Sequence, residues 1–339
     1  MGDKLSGQGT TGSGDFWLPG FAKGLLESVS MRKLIGILFH SFDGPLPYDL
    51  ERTINRIAGK KIKAEMVKIG HIELNEPCPY SVIIDRASHI IQFYREYLKH
   101  AKLSGCRVIN NPFCLPYQKF AGYEIVSELG IFVPRTVMLP SKAYPDFIGK
   151  EDLTNLKYPL DWKKAVDYTG FPSVLKPVDG GGWKHVYLVN NFEELMRAYD
   201  KSGMKVMLLQ QYIEYDLYIR AIVIGKKHCK PIRYNPDHKK FPELPAYIID
   251  QDFLDTRLFD TIVKNSIKIC QTLDLDMNSV EWAIKDGKPY AIDFTNPIPD
   301  ANPRSITPRY YEWTVEKLSS IAIEYAGDEN IRVENYDAG

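Results

Sequence analysis

Apolar and polar positions in the first third of the chain follow the pattern of a parallel α/β sheet. Apolar runs typical of buried strands occupy residues 33–40, 80–85 and 107–110, and apolar residues at helical spacing lie between them at 47–58 and 86–103. A strand, a helix and a second strand form the unit from which open parallel sheets are built. The pattern therefore predicts a small parallel-sheet domain over residues 31–112.

A second pattern, strand, glycine loop and strand, lies in the middle of the chain. The apolar run from Phe171 ends at Lys176 and Pro177, three glycines follow at 180–182, and a second run ends at Val189. Glycines allow backbone N–H groups to approach a phosphate closely, and a lysine beside them adds positive charge. The stretch matches neither the P-loop nor the dinucleotide-binding motif. A nucleotide triphosphate is the ligand that this pattern favours.

Near the carboxyl end, two strand patterns on either side of Asp286-Gly287 each carry one acidic residue, Glu281 and Asp293. A two-residue turn would place Glu281 opposite Ile292, and the two carboxylates would then lie on opposite faces. A three-residue loop over 286–288 would place Glu281 directly opposite Asp293. The register of this hairpin therefore decides whether the two acids can act together.

Composition narrows the class of protein. The chain has 339 residues, which predicts two or three subdomains, and its 43 basic and 43 acidic residues cancel, which argues against a dedicated nucleic-acid binder. Five scattered cysteines without C-x-x-C spacing predict neither disulfides nor zinc and favour a reducing cytoplasm. No apolar run approaches the ~20 residues of a membrane span. Residues 1–30 are predicted to be a disordered or partner-binding leader.

The middle pattern resembles the ATP-grasp superfamily. Its signature strand corresponds to Pro172-Ser173-Val174-Leu175-Lys176-Pro177, and the strand after the glycine loop corresponds to Trp183-Lys184-His185-Val186. The resemblance implies an α/β fold in which two α+β subdomains clasp ATP behind a small Rossmann-like pre-grasp domain. We expect the pre-grasp domain at 31–112, the subdomain with the glycine loop at 113–205 and the subdomain with the hairpin at 206–330.

The resemblance also implies roles for individual residues. Glu214 competes with Asp216 for the ribose, and Arg220 is expected to face the transferred phosphoryl group. Contacts to the nucleotide are expected from Lys119, Lys176, Gly180, Gly181, Gly182, Gln210, Gln211, Tyr212, Ile213 and Asp216. Catalytic roles are expected for Arg220 and Lys184, and contacts to substrate for Arg304 and Ser305, in the loop that we expect at 300–307 before a last helix that starts near Pro308.

The hairpin resembles the family's metal site, which implies magnesium, or manganese, at Glu281, Asp293 and Asn296. That role requires the three-residue loop. Asn296 lies one residue further from Asp293 than in the family pattern, so either a bulge realigns it or Thr295 takes its place. Ser279 also stands where some relatives have an arginine, a charge that Arg220 or Arg233 could supply.

The resemblance implies an ATP-dependent ligase. Such an enzyme joins a small-molecule carboxylate to an amine or thiol through an acyl phosphate and releases ADP and phosphate. We expect no nucleic-acid or membrane partner, and a homodimer is possible. Two alternatives stay open: an ATP-grasp kinase that phosphorylates a hydroxyl group, and a nucleotide-binding module without catalysis.

Overall fold

The computed structural model describes residues 32–114, 119–239, 241–248 and 253–328. The predicted leader, and the first residues of the helix expected before Gly130, lie outside the described residues. Within the described ranges, no helix is both long and apolar enough to cross a membrane. Short 3-10 helices occupy Ser41–Asp43, Lys150–Leu153 and Pro236–Lys239.

The first sheet is parallel, as predicted. Its strands are β1 (Lys33–Leu38), β2 (Ile62–Met66), β3 (Val82–Asp85) and β4 (Arg107–Ile109), in the order β2-β1-β3-β4. The connecting helices are α1 (Leu46–Ile57) and α2 (Gln92–Leu103). The sequence pattern had not predicted β2, whose alternating Ile-Lys-Ala-Glu-Met marks an edge strand that is buried on one face only.

The second sheet is antiparallel and carries the glycine loop. Its strands are β5 (Thr136–Leu139), β6 (Ser173–Pro177), β7 (Tyr187–Val189) and β8 (Met207–Gln211), in the order β5-β8-β6-β7. Helix α3 (Lys119–Glu128) precedes β5 in the chain, and helices α4 (Trp162–Thr169) and α5 (Phe192–Asp200) lie between strands of this sheet. Because β8 pairs with β5 and β6, this sheet continues past the subdomain boundary predicted at 205.

The third sheet is antiparallel and carries the acidic hairpin. Its strands are β9 (Leu217–Ile224), β10 (His228–Tyr234), β11 (Tyr247–Ile248), β12 (Met277–Lys285) and β13 (Lys288–Asn296), in the order β11-β10-β9-β12-β13. The accompanying helices are α6 (Thr256–Thr272) and α7 (Pro303–Gly327).

The start of α7 corrects one expectation. Residues 300–307 were predicted to be a loop before a helix at Pro308, but a helical turn already begins at Pro303, capped by the side chain of Asn302. Thr307, with φ 69° and ψ 153°, then breaks the helix immediately before Pro308. Proline disfavours helical conformation in the residue that precedes it, which accounts for the break at this position.

The two faces of the third sheet pack against different helices, and this decides which side chains share a face. Val280, Trp282 and Ile284 of β12 pack in a core with Ile262 and Ile269 of α6. Met277 and Ala283 belong instead to a core that includes α7 and residues of the first sheet. Because side chains alternate along a strand, Glu281 must lie on the face toward α7 and the first sheet.

Candidate active site

The hairpin between β12 and β13 turns through two residues. Lys285 pairs with Lys288, and Asp286 and Gly287 both have positive φ, 50° and 70°, as a type I′ turn requires. The three-residue loop predicted from the sequence is therefore wrong. Asp-Gly is a favoured type I′ pair, so the local sequence decides the turn without reference to the acids further along the strands.

Glu281 nevertheless lies directly opposite Asp293. Trp282 pairs with Ala291, and the next pair is Glu281 with Asp293, so Ile292 is an extra residue in β13. Such a bulge moves the residue after it to the other face of the sheet. The bulge therefore has the effect on register that the sequence analysis had assigned to a longer loop.

A second register shift aligns Asn296 with Ser279. The amide nitrogen Nδ2 of Asn296 donates to Ser279 Oγ at 3.0 Å, which leaves Oδ1 as the amide atom that could bind a cation. The sequence left two alternatives, a bulge that realigns Asn296 or a substitution by Thr295. The strand pairing corresponds to a realigned Asn296. The metal-binding role of Asn296 stays a prediction.

Each of the two carboxylates forms an ion pair with a predicted phosphate-binding residue. Asp293 Oδ2 lies 2.5 Å from the ammonium of Lys119, at the start of α3. Glu281 Oε1 accepts hydrogen bonds from Arg220 Nε and Nη2 at 2.9 and 2.6 Å. Tyr218 donates to the other oxygen, Oε2, at 2.6 Å. Charges of opposite sign therefore neutralise one another within the site.

Lys176, near the end of β6, is a buried cation of the site. Its Nζ donates to Tyr123 Oη at 2.7 Å and to the carbonyl oxygen of Ile292, the bulged residue, at 3.5 Å. Burial lowers the pKa of Lys176, and the nearby carboxylates Asp293 and Glu281 oppose this only in part. The ammonium is therefore easier to deprotonate than that of an exposed lysine.

Asp293 is shifted in the direction expected of a paired carboxylate. Burial alone would raise its pKa, but the ammonium groups of Lys119 and Lys176 outweigh burial and bring the pKa of Asp293 to about 2. The carboxylate is thus charged at any physiological pH, as a ligand for a metal ion must be.

The glycine loop connects β6 to β7 and is exposed. Gly180 and Gly182 have φ of 119° and 67°, which a residue with a Cβ adopts only with strain. Lys184 follows in the same loop, and among the described residues it forms no hydrogen bond or ion pair. The structure therefore does not bring Lys184 into the cluster of Lys119, Lys176 and Asp293, and its catalytic role stays a prediction.

The predicted adenine hinge follows β8. Gln210 is buried and donates through Nε2 to Thr136 Oγ1 at 2.8 Å, and Gln211 accepts from Arg135 at 3.3 Å. The backbone amide of Tyr212 donates to a carbonyl of Pro172 at 3.2 Å, and Ile213 is buried in the apolar core. The segment is thus well ordered by its own contacts.

The two candidates for the ribose differ in their contacts. Asp216 accepts the backbone amide of Asp286 at 2.8 Å and so stabilises the hairpin turn. Glu214 has an 87% exposed side chain and lies 3.9 Å from Lys285. Because one oxygen of Asp216 already has a structural partner, Glu214 is the more available carboxylate.

The predicted substrate residues open α7. The hydroxyl of Ser305 donates to Asp300 Oδ2 at 2.6 Å, so it helps to order the start of the helix. The side chain of Arg304 is exposed, and its backbone amide is capped by Asn302 Oδ1 at 3.0 Å. Neither residue contacts the carboxylate hairpin in the hydrogen bonds that the structure describes.

Sequence analysis missed the tyrosines that surround the charged groups: Tyr123 on Lys176, Tyr218 on Glu281, and Tyr234 and Tyr247 on Arg220. A signal was present for Tyr218, which lies two residues before Arg220 and hence on the same strand face. Tyr123, Tyr234 and Tyr247 are distant in sequence, and only the pairing of the strands and helices brings them to the site.

The donor set suits a magnesium ion that also binds phosphate. Among the described residues no group of three His, Cys, Asp or Glu side chains could hold a metal ion by themselves. Magnesium, however, is commonly bound through one or two carboxylates together with substrate phosphates and water. Two opposed carboxylates and an amide oxygen, Glu281, Asp293 and Asn296, therefore fit this ion.

Comparison with known proteins supports the fold. No family model matches the chain, and no curated protein matches it by sequence. Among solved structures, D-alanine–D-alanine ligase from Bacillus anthracis complexed with ATP has a TM-score of 0.56 and 17% identity, over 87% of this chain and 96% of that one. VanG D-Ala:D-Ser ligase from Enterococcus faecalis has a TM-score of 0.59 and 13% identity, over 87% and 100%. The chain has the ATP-grasp fold that its motifs predict.

Proposed function

We propose that the protein is an ATP-dependent ligase that joins a small-molecule carboxylate to an amine through an acyl phosphate. One observation carries the proposal: the bulge in β13 sets Glu281 directly opposite Asp293, and both acids lie against the cations expected to hold phosphate. A structural hairpin has no need of two opposed carboxylates, since like charges in this arrangement destabilise the strand pair.

Nucleotide binding would exchange the partners of these ion pairs. Lys119 and Lys176 would move from Asp293 and Tyr123 to phosphate oxygens, which are charged acceptors for both ammonium groups. Asp293, released by this exchange, would hold magnesium together with Glu281 and Asn296, and the ion would neutralise phosphate charge when bound.

Arg220 would stabilise the charge on the transferred phosphoryl group. It lies on β9 beside Glu281, and its side chain is 15% exposed, so its charge acts where little water can screen it. Ser279 stands where some relatives carry an arginine. Arg220 takes over that charge on the neighbouring strand, since Glu281 pairs with Arg220 in the sheet.

The substrates that we propose are amino-acid-like. The similar structures are ligases named for D-alanine and D-serine, compounds that carry both a carboxylate and an amine. Five cysteines, all free thiols, accord with a reducing cytoplasm as the place of action.

The decisive experiment follows the γ-phosphate. The carboxylate oxygen attacks the γ-phosphorus and ADP leaves; hydroxylamine nitrogen then attacks the acyl carbon, phosphate leaves and a hydroxamate forms. We expect a hydroxamate from magnesium, ATP, hydroxylamine and a panel of amino and carboxylic acids. Asp293→Asn should abolish it, whereas Asp167→Asn, in an exposed ion pair with Lys163, should not.

The kinase alternative predicts a different product. A stable phosphorylated alcohol without free phosphate would overturn the ligase proposal. Nucleotide binding without turnover of any substrate in the panel would favour the binding module instead.

A further inference from the structure

We propose that Tyr234 and Tyr247 are positioning residues that hold the guanidinium of Arg220 in place when Glu281 exchanges its partner for a metal ion. This inference rests on the proposed function, in which Arg220 must face phosphate after Glu281 has left it. The contacts of the Arg220 guanidinium support it.

Each side of the guanidinium has a different partner. Nε and Nη2 donate to Glu281 Oε1, and Nη1 donates to the hydroxyl oxygen of Tyr247 at 2.9 Å. The ring of Tyr234 lies under the plane, with Cζ 3.8 Å from the ring centroid. Carboxylate, hydroxyl and ring together define the orientation of a planar group that would otherwise rotate about its long side chain.

Strand pairing places these tyrosines. Arg220 pairs with Ile232 across β9 and β10, and Tyr234 lies two residues further along β10, on the same face. Tyr234 pairs directly with Tyr247 of β11. Three neighbouring strands thus present one arginine and two tyrosines to the same side of the sheet, the side on which Glu281 also lies.

The stacked tyrosine contributes through its ring. Tyr234 is 3% exposed, and its hydroxyl has no hydrogen-bond partner among the described residues. A buried hydroxyl without a partner costs free energy, so the contribution of Tyr234 to the site comes from its ring. A cation that lies over an aromatic ring away from water gains from the ring quadrupole, and the gain is largest in such a buried site.

Tyr234 and Tyr247 can hold Arg220 in place when Glu281 does not. If the carboxylate turns to a metal ion, Arg220 loses two of its three hydrogen bonds to protein. Tyr247 and the ring of Tyr234 do not depend on that carboxylate, so they keep the guanidinium at the site. Without them, a long flexible side chain would have to be ordered at each turnover, at a cost in rotamer entropy.

A guanidinium-rescue experiment tests the ring of Tyr234 directly. Arg220→Ala leaves space beside both tyrosines, and ethylguanidinium should restore part of the hydroxamate rate. Adding Tyr234→Leu should raise the half-saturating concentration about fivefold to thirtyfold, the range expected for a desolvated cation–π contact. Tyr234→Phe in the same background should restore the tighter value, because it keeps the ring.

The binding of ethylguanidinium to Arg220→Ala can also be measured without turnover, from the rise of the melting temperature with ethylguanidinium concentration. A failure of the ligase activity would leave this measurement intact, so the two proposals can fail separately. Equal dependence on ethylguanidinium in the Tyr234→Leu and Tyr234→Phe backgrounds would overturn the inference.

Single variants keep the test independent of whether Arg220→Ala folds. Tyr234→Leu should lower kcat about tenfold to a hundredfold with the KM for ATP unchanged, since misplacing a catalytic group affects the transition state. Tyr234→Phe should recover most of that loss, and Tyr168→Leu, a half-exposed tyrosine near Arg135, serves as the control. An unchanged kcat in Tyr234→Leu, or a loss of equal size in Tyr234→Phe, would contradict the role of the ring.

Discussion

Replacing Asp293 by asparagine is expected to change nucleotide binding in opposite directions with and without magnesium. Asp293 forms an ion pair with the ammonium of Lys119, with Oδ2 2.5 Å from Nζ. Without metal, ATP must break this pair and then faces the released carboxylate. Asparagine carries no charge, so it neither holds Lys119 in an ion pair nor repels the phosphates. Metal-free ATP should therefore bind more tightly. With magnesium, the same change removes a ligand of the metal, and the enhancement of affinity by magnesium should shrink.

The pKa of Asp293 sets the size of the effect. A pKa of about 2, against an ordinary value of 3.8, corresponds to roughly 2 kcal/mol of net stabilisation of the charged form. A third of the Asp293 side chain is exposed, so solvent screening reduces this to about 1 to 2 kcal/mol. Metal-free ATP should therefore bind about fivefold to thirtyfold more tightly to Asp293→Asn.

Calorimetric titration of ATP in excess EDTA and in excess magnesium measures both effects, with Asp167→Asn as the matched control. Weaker binding of metal-free ATP to Asp293→Asn would show that the Lys119 pair does not compete with phosphate. An undiminished enhancement by magnesium would remove Asp293 from the metal site.

Four further predictions concern pH and stability. Because only the ammonium form of Lys176 binds phosphate and burial lowers its pKa, ATP affinity should fall as pH rises toward 10, and Lys176→Met should abolish this dependence; titrations between pH 7 and 10 check it. Glu281→Gln leaves Arg220 without its charged partner and should lower the free energy of unfolding by about 2 to 4 kcal/mol in urea. Gly225→Ala should cost about 2 to 3 kcal/mol by the same measurement, because φ is 64° and a Cβ would overlap a side chain of α7. The carboxylate of Asp293 adds stability above about pH 4 that is lost as pH falls toward 2, so Asp293→Asn should flatten acid unfolding in that window.

Local patterns in the sequence were sufficient for three of the four strands of the parallel sheet and for the strands on either side of the glycine loop. The strands on either side of the glycine loop lie where the pattern predicts. These features depend on residues within a few positions of one another. They are therefore readable from one chain without knowledge of what packs against it.

The strand register of the β12–β13 hairpin could not be predicted from local patterns. The Asp286-Gly287 turn is a local preference, yet the pairing of Glu281 with Asp293 depends on a bulge at Ile292 that has no local signature. A bulge forms where packing on the two faces of a sheet favours a shift by one residue. Here Trp282 and Phe294 are buried toward α6, while Ile292 packs on the opposite side. That choice involves helices far away in the chain.

Sequence by itself thus determined the order of strands and helices, the glycine loop, and the presence of two acids and two lysines in the family's order. Only the tertiary structure decided their partners: Lys119 with Asp293, Arg220 with Glu281, and the two tyrosines that hold Arg220. Secondary structure follows from periodicity along the chain, whereas a charged side chain takes its partner from whichever strand or helix packs beside it. Those contacts join residues more than a hundred positions apart in the case of Lys119 and Asp293, a separation at which no local pattern carries information.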